Sequence, residues 1–334
     1  MSSFRPLPFL GNPHVQTILG TLLPGFERPA RTERRVVALP DGDRLVLHET
    51  PPRTQRTQHE PIALMVHGLG GSYQSGYNPR MAAILSARGW RVFRVDLRGA
   101  GAGVRLARKL YCAGCSGDVA VVVESLAGAF PHSPITLIGF SLGGNIVLKY
   151  AGEAADTAPA NLAGVVAVAP PIDLLACSAL IAHQPMYDAF YVHNLVKQAT
   201  RQRKYFPDMP KLAFPARMIL REFDDMFTAP NWGFRDSQEY YRESSSFPLI
   251  DAIRIPAFVL TARDDPFIAV EPFEKITPRP GVEVHIADKG GHMGFLGVEF
   301  LLGVRWAERK MVDWLARHIE SQCIASSRES VASV

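Results

Sequence analysis

Short continuous runs of apolar residues recur along this chain, and most are followed by stretches with helical spacing. Such a run, bounded by turn residues, is typical of a strand that is buried on both faces of a parallel sheet. Their alternation with helices predicts an α/β fold, in which a mostly parallel central sheet carries helices on both faces. The strands predicted for this sheet are Ile62–Val66, Arg91–Val95, Ile135–Ile138, Leu162–Ala169, Arg254–Ala262 and Val282–Ala287, of which Ile62–Val66, Ile135–Ile138 and Leu162–Ala169 are the clearest apolar runs.

Two further strands, which precede these in the chain, are predicted to form an antiparallel hairpin. Arg34–Leu39 and Leu45–Glu49 flank Pro40-Asp41-Gly42-Asp43, and Asp-Gly between two such runs indicates a tight turn. Helical spacing and capping residues predict helices that start at Asn12-Pro13 and that cover Asn78–Arg88, Asp118–Phe130, Leu142–Ala151 and Arg305–Glu320.

The pattern changes between residues 172 and 247, where aromatic residues are frequent and prolines such as Pro185, Pro207 and Pro230 interrupt the helical spacing. This favours a helical insertion, or cap, over the carboxyl edge of the sheet. We therefore expect one domain with a core at residues 26–171 and 248–320 and the cap at 172–247. An N-terminal segment at 4–25 and a frayed C-terminal tail at 321–334 complete it.

The strand at Ile135–Ile138 leads into Gly139-Phe140-Ser141-Leu142-Gly143, which is G-x-S-x-G between a strand and a helix. In that setting the turn strains the serine backbone and lifts its side chain out of the sheet edge. The flanking glycines let strand and helix approach without a Cβ clash. Ser141 is thus a candidate nucleophile, and a glycine-rich turn with an incidental serine is the alternative.

A nucleophilic serine needs a base, and the base needs an acid that fixes its tautomer. Asp265 follows the strand that ends at Ala262, and His292 lies in a glycine-rich loop after the last strand. The order Ser, Asp, His is that of α/β-hydrolases. Asp264 competes for the acid role. Asp265 is favoured because the acid commonly stands three positions after a small residue at the strand end, which here is Ala262.

The loop His67-Gly68-Leu69-Gly70-Gly71 follows an early strand, where acyl hydrolases place an oxyanion-binding N–H group. We expect the backbone N–H groups of Leu69 and Leu142 to form the oxyanion hole, and His67 to order the loop. A flexible glycine-rich loop is the alternative. Acyl transfer by these residues requires neither a metal nor an organic cofactor.

Composition excludes some classes of protein. The net charge of +4 arises from 36 basic and 32 acidic residues among 334, which is too mild for a nucleic-acid-binding protein. No apolar run reaches the roughly 20 residues of a membrane-spanning helix. Cys112 and Cys115 form C-x-x-C without further metal ligands, so two small residues near a helix start are favoured over a redox dithiol. We expect a cytoplasmic protein of undetermined oligomeric state.

Two parts of the chain are candidates for contact with a membrane. The segment from Phe4 to Phe26 is apolar enough to touch a membrane surface, although packing on its own domain is favoured. The basic residues of the cap are expected to form a solvated face, with attraction of anionic lipid or an acidic ester as the alternative. These basic residues are Lys197, Arg201, Arg203, Lys204, Lys211, Arg217 and Arg221.

Two further motifs are Asn12-Pro13-His14-Val15-Gln16-Thr17 near the start of the chain and Asp96-Leu97-Arg98-Gly99 after a predicted strand. Together with the motifs described above, they resemble the YheT-like branch (family 4) of the α/β-hydrolases, which includes animal abhydrolase-domain lipases. The resemblance implies a Ser141–Asp265–His292 charge relay acting on carboxylic esters, among them short- or medium-chain acylglycerols. The chain differs at Gly70, where many relatives carry an acidic residue, and it lacks the N-terminal membrane helix of the animal members. The motifs that carry the resemblance are Asn12-Pro13-His14-Val15-Gln16-Thr17, His67-Gly68-Leu69, Asp96-Leu97-Arg98-Gly99, Gly139–Asn145, Asp264-Asp265-Pro266-Phe267 and Gly291-His292.

Two other functions fit the same pattern. A catalytically inactive protein could use the capped pocket to bind a lipid or small molecule, and an acyltransferase could pass the acyl group to an alcohol or amine. His183 and Asp188 form H-x-x-x-x-D, a pattern found in some acyltransferases, but in an interrupted cap we attribute this spacing to chance.

Overall fold

The computed structural model describes residues 3–23, 32–54, 59–302 and 305–321, and these residues form one eight-stranded sheet with the strand order β1-β2-β4-β3-β5-β6-β7-β8. β1 pairs antiparallel with β2 and β2 with β4, whereas all other neighbours are parallel. The predicted hairpin and the mostly parallel sheet are therefore confirmed. The strands are β1 (Glu33–Ala38), β2 (Arg44–Thr50), β3 (Ile62–Val66), β4 (Arg91–Asp96), β5 (Ile135–Phe140), β6 (Leu162–Val168), β7 (Ala257–Ala262) and β8 (Val282–Ala287).

Helices cover both faces of this sheet because alternate strand residues point to opposite sides. Leu64 and Val66 of β3 pack in the apolar cluster on one face, whereas Ala63 and Met65 pack in the cluster on the other. The helices in the described ranges are α1 (Pro13–Leu22), α2 (Tyr77–Ala87), α3 (Ser116–Ala129), α4 (Leu142–Glu153), α5 (Leu174–Ala182), α6 (Pro185–Arg203), α7 (Leu220–Phe223), α8 (Ala229–Trp232), α9 (Ser237–Ser244), α10 (Glu271–Glu274) and α11 (Trp306–Leu315).

The predicted helical insertion lies between β6 and β7 and contains α5 to α9. A π-helical turn at Asp224–Thr228 joins α7 to α8. Of the seven basic residues of the cap that are named above, Arg203 is half-buried and the others are exposed, which agrees with a solvated face. The division into core and cap at particular residue numbers stays a prediction. Residues 24–31 and 322–334, which contain the predicted start of the core and almost all of the predicted tail, lie outside the described residues.

Several predicted boundaries differ from those in the structure. β7 begins at Ala257 and not at Arg254, because Pro256 has no N–H group to donate to a neighbouring strand. Asn78 does not cap α2, which begins one residue earlier; its side-chain amide donates to the carbonyl of Ser72 instead. α3 begins at Ser116, two residues before the acidic residue that was expected to start it.

Candidate active site

Ser141 lies at the sharp turn between β5 and α4, and its backbone has the positive φ of 51° expected for a strained turn. Its N–H group donates to the carbonyl of Val168 at 2.8 Å, which holds the turn against β6. A Cβ atom on Gly139 would lie 2.3 Å from the carbonyl oxygen of Gly143, and one on Gly143 would lie 2.3 Å from that of Val66. Both glycines are therefore required for the strand-to-helix turn that exposes the hydroxyl.

The structure brings Ser141, His292 and Asp265 together in one hydrogen-bonded chain. His292 Nε2 lies 2.9 Å from Ser141 Oγ, and His292 Nδ1 lies 2.8 Å from Asp265 Oδ2. An ionised carboxylate can only accept hydrogen bonds, so the ring proton of His292 is assigned to Nδ1. Nε2 is then free to accept a hydrogen bond from the serine hydroxyl. His292 and Asp265 are 8% and 7% exposed, so little water competes for these bonds.

The two adjacent carboxylates have different partners. Asp265 Oδ1 accepts the N–H groups of Phe267 and Ile268, both at 3.1 Å, which fixes the carboxylate while Oδ2 bonds to His292. Asp264 Oδ1 accepts the N–H group of Gly291 at 2.9 Å and forms no bond with the imidazole. The geometry thus favours Asp265 for the acid role and leaves Asp264 to hold the loop beside His292.

The loop after β3 presents one free N–H group beside the serine. Gly68 N donates to Tyr77 Oη at 2.9 Å and Gly70 N donates to Tyr111 Oη at 2.6 Å. The intervening N–H of Leu69 has no partner among the hydrogen bonds of the described residues. Gly70 has a φ of 68°, a conformation that favours glycine over residues with a Cβ atom.

Leu142 supplies a second free N–H group, because the first residues of a helix have no intrahelical acceptor. Leu69, Leu142 and Ser141 line the same cavity. A Cβ atom on Gly68 would come within 3.0 Å of Ser141 Cβ, so the loop lies directly against the candidate nucleophile.

His67 orders this loop, as predicted. Leu97 N donates to His67 Nε2 at 3.3 Å, so Nδ1 carries the proton and donates to the carbonyl of Gly68 at 2.8 Å. Complete burial lowers the pKa of His67 below its ordinary value. His67 is therefore a neutral structural residue.

Helix α1, in the N-terminal motif, holds the loop that carries His292. Thr17 Oγ1 accepts the backbone N–H of His292 at 2.9 Å and donates to the carbonyl of Pro13 at 2.8 Å. The Gln16 side chain accepts from Leu296 N at 2.8 Å and donates to the carbonyls of Leu10 and Leu296. Sequence reasoning assigned no role to these residues, although they belong to the N-terminal motif that contributes to the family resemblance.

Removing the Thr17 hydroxyl is expected to reduce turnover without removing the nucleophile. Thr17→Val keeps the side-chain shape but leaves the His292 N–H group unpaired, which costs about 1 kcal/mol or more. We expect kcat to fall about tenfold with little change in KM, measured by steady-state ester hydrolysis. Thr17→Ser, which keeps the hydroxyl, should stay within about threefold of wild type; an equal loss in both variants would contradict this role.

Two cavities meet at Ser141, Leu69 and Tyr191. The apolar cavity lies under the cap and has a volume of about 80 Å³, with walls that include Leu174, Ile181, Leu195, Leu220, Phe267 and Ile268. The second cavity has a volume of about 210 Å³; it is named the polar cavity here after the polar side chains in its walls, which include Thr21, Asn194, His292 and Arg305 beside Gly20. The site can therefore place a hydrocarbon chain on one side of Ser141 and a polar group on the other.

The remaining candidate residues do not form a second site. In the described part of the chain, no cluster of three or more His, Cys, Asp or Glu side chains could hold a metal ion. The Cys112 and Cys115 sulfurs are buried 3.6 Å apart just before α3, and burial raises the pKa of the Cys115 thiol. Asp188 accepts from the backbone of Leu220, and neither it nor His183 lines a cavity with Ser141.

Within the described ranges, none of the helices combines the length and apolar character needed to cross a bilayer.

A serine at a strand-to-helix turn, followed along the chain by an aspartate and a histidine on a mostly parallel sheet, defines an α/β-hydrolase. A family model described as "Alpha/beta hydrolase family" matches residues 63–299. The chain therefore belongs to the alpha/beta hydrolase family, and hydrolase is its class of enzyme.

Within this family the chain is similar to the putative esterase YheT of Escherichia coli strain K12. The two are 30% identical over 334 aligned positions, which cover 96% of this chain and 95% of YheT. The resemblance to the YheT-like branch is thus confirmed. A monoacylglycerol lipase of Saccharomyces cerevisiae is 28% identical over 73% of this chain and 57% of its own length.

Solved structures agree on the fold. The Pyrococcus furiosus esterase Pf2001 superposes with a TM-score of 0.56 at 17% identity, covering 95% of this chain and 99% of that protein. At this identity the likeness concerns the fold alone.

Proposed function

We propose that this protein is a serine hydrolase that cleaves carboxylic esters, with Ser141 as nucleophile, His292 as general base and Asp265 as the carboxylate that orients His292. The observation that carries the proposal is the hydrogen-bonded chain from Ser141 Oγ through the imidazole to Asp265, with donor–acceptor distances of 2.9 and 2.8 Å. Distances of this size permit proton transfer between nucleophile and base without rearrangement of the site.

The reaction proceeds through an acyl-enzyme. Ser141 Oγ attacks the ester carbonyl carbon while Nε2 of His292 takes the hydroxyl proton, and Asp265 stabilises the imidazolium. The imidazolium then gives this proton to the departing alcohol as the C–O bond breaks. Water attacks the acyl group by the same route, and the free acid leaves Ser141.

The free N–H groups of Leu69 and Leu142 are the proposed oxyanion hole. Both lie beside Ser141, where negative charge develops on the carbonyl oxygen in the tetrahedral intermediate. Removal of one such donor typically costs about 3 kcal/mol of transition-state stabilisation. Tyr77 and Tyr111 support this role because they engage the two N–H groups on either side of Leu69 and so fix the loop.

The apolar cavity supports an acyl group of short or medium length, and the polar cavity supports an alcohol such as glycerol. The names of the relatives, a putative esterase and a monoacylglycerol lipase, support the same class of substrate. The cytoplasm stays the proposed compartment, since Cys112, Cys115 and Cys177 are free thiols.

Hydrolysis of p-nitrophenyl esters of increasing acyl length tests this function. We expect turnover that is highest for short or medium chains and that yields the free acid as product. Tight binding of these esters without turnover would contradict the proposal and favour a binding protein. If added alcohols or amines captured most of the acyl group, the protein would instead be an acyltransferase.

A further inference from the structure

The apolar cavity contains an unexpected carboxylate, that of Asp224. This residue lies in the π-helical turn of the cap and lines the cavity that Ser141 also lines. Its side chain accepts the hydroxyl of Tyr241 at 2.6 Å, and Thr228 donates a second hydrogen bond. All three residues are buried and all three face the cavity.

Asp224 differs in its partners from two other aspartates of the cap, the buried Asp188 and the exposed Asp225. Asp188 accepts the backbone N–H of Leu220, and the neighbouring Asp225 accepts that of Ser237. Asp224 accepts only side-chain hydroxyls in the described structure, and it forms no ion pair there. It therefore does not serve mainly to hold the backbone of the cap.

The environment of Asp224 disfavours its charge. Burial, reinforced by the nearby carboxylate of Asp225, raises the pKa of Asp224 to about 6, while Thr228 and Tyr241 lower it. A carboxylate without a cation in an apolar cavity is costly unless it has hydrogen-bond donors. Two hydroxyls occupy two of its roughly four acceptor positions, so acceptor capacity remains for a ligand.

We propose that Asp224 and Tyr241 form a polar subsite in the apolar cavity, where the acyl group binds. This subsite selects acyl groups that carry a hydroxyl along the chain. The proposal rests on the proposed ester hydrolysis and names its substrate class: esters of hydroxy acids. A hydroxyl donates to the free acceptor position of Asp224, whereas a plain alkyl chain leaves that position without a donor and a second carboxylate is repelled. Asp224 is a specificity-determining residue here and takes no part in bond cleavage.

Competition between paired substrates tests the subsite. We compare kcat/KM for methyl esters of ω-hydroxy acids with those of the unsubstituted acids of equal length, at about four to ten carbon atoms. At the length that reaches Asp224, wild type should prefer the hydroxylated ester by about tenfold or more, the usual range for a hydrogen bond to a charged group. Asp224→Leu should reverse the preference, and Asp224→Asn should reduce it.

The adjacent Asp225 offers a matched control. Its side chain is exposed and does not line the cavity, so Asp225→Asn should keep the wild-type preference. The preference should also rise with pH through about 6 in wild type, as Asp224 loses its proton, but not in Asp224→Asn. Taking a ratio of two substrates cancels any effect of pH on the catalytic steps that both substrates share. Burial raises the pKa values of Tyr240 and Tyr241, which face Asp224, well above the ordinary value, so both stay protonated near this pH.

The outcomes separate the subsite from the proposed function. Hydrolysis of both ester series with no preference at any length, or an unchanged preference in Asp224→Leu and Asp224→Asn, would overturn the subsite and leave ester hydrolysis intact. Hydrolysis of neither series by the folded wild type would overturn both. Retained melting temperatures would show that an altered preference does not reflect loss of the folded cap.

Discussion

Ser141→Ala is expected to lower kcat for ester hydrolysis by about 10⁴- to 10⁶-fold, because no other group can form the acyl-enzyme. KM should change little, since the alanine still fits the turn and both cavities keep their walls. The measurement is steady-state turnover of the best ester in the length series.

Ser116→Ala is a matched control for this experiment. Ser116 is buried and, like Ser141, lies at the start of a helix, α3, but it lines neither cavity. Its replacement should leave kcat within about threefold of wild type. A Ser141→Ala protein that retained activity within about tenfold of wild type would contradict the assignment of the nucleophile.

Asp265→Asn is expected to lower kcat by about 10³- to 10⁴-fold. An amide at this position either leaves Nδ1 of His292 without an anionic acceptor or favours the wrong ring tautomer, so Nε2 no longer accepts the serine proton. Side-chain volume is nearly unchanged, and the N–H groups of Phe267 and Ile268 can still bond to the amide oxygen. The fold should therefore be retained.

The neighbouring carboxylate provides the comparison. Asp264→Asn removes a charge one residue away but keeps an oxygen that can accept from Gly291, so its kcat should fall by less than about tenfold. Burial raises the pKa of Asp264, and it makes no contact with the ring of His292. A larger loss in Asp264→Asn than in Asp265→Asn would reverse the assignment of the acid.

The sequence predicted those parts of the fold that depend on short local patterns. β3 and β8 have the predicted boundaries because their apolar runs end at turn residues on both sides. Ser141, Asp265 and His292 were identified because each follows a strand, and the ends of parallel strands meet at one edge of the sheet. Spacing from Ala262 favoured Asp265 over Asp264, but only the side-chain directions in the structure show which carboxylate bonds to the imidazole.

Other parts of the site depend on contacts between distant segments. Thr17 reaches His292 across 275 positions of the chain, and nothing in its own surroundings indicates that its hydroxyl accepts a loop N–H group. Likewise, no local pattern indicates that the Tyr111 hydroxyl accepts the N–H group of Gly70, or that Asp224 lines the cavity. Helical spacing in the cap predicted an insertion, but only the tertiary structure places Asp224 and Ser141 in the walls of one cavity.

The most direct test of the central claim is covalent labelling with a fluorophosphonate probe, followed by mass spectrometry of the modified peptide. An activated serine displaces fluoride and keeps the phosphonyl group on its oxygen. The account predicts a single adduct on Ser141 in wild type, and its loss in Ser141→Ala together with ester turnover. Stoichiometric labelling of a different residue, or turnover that continues when Ser141 is fully modified, would contradict it.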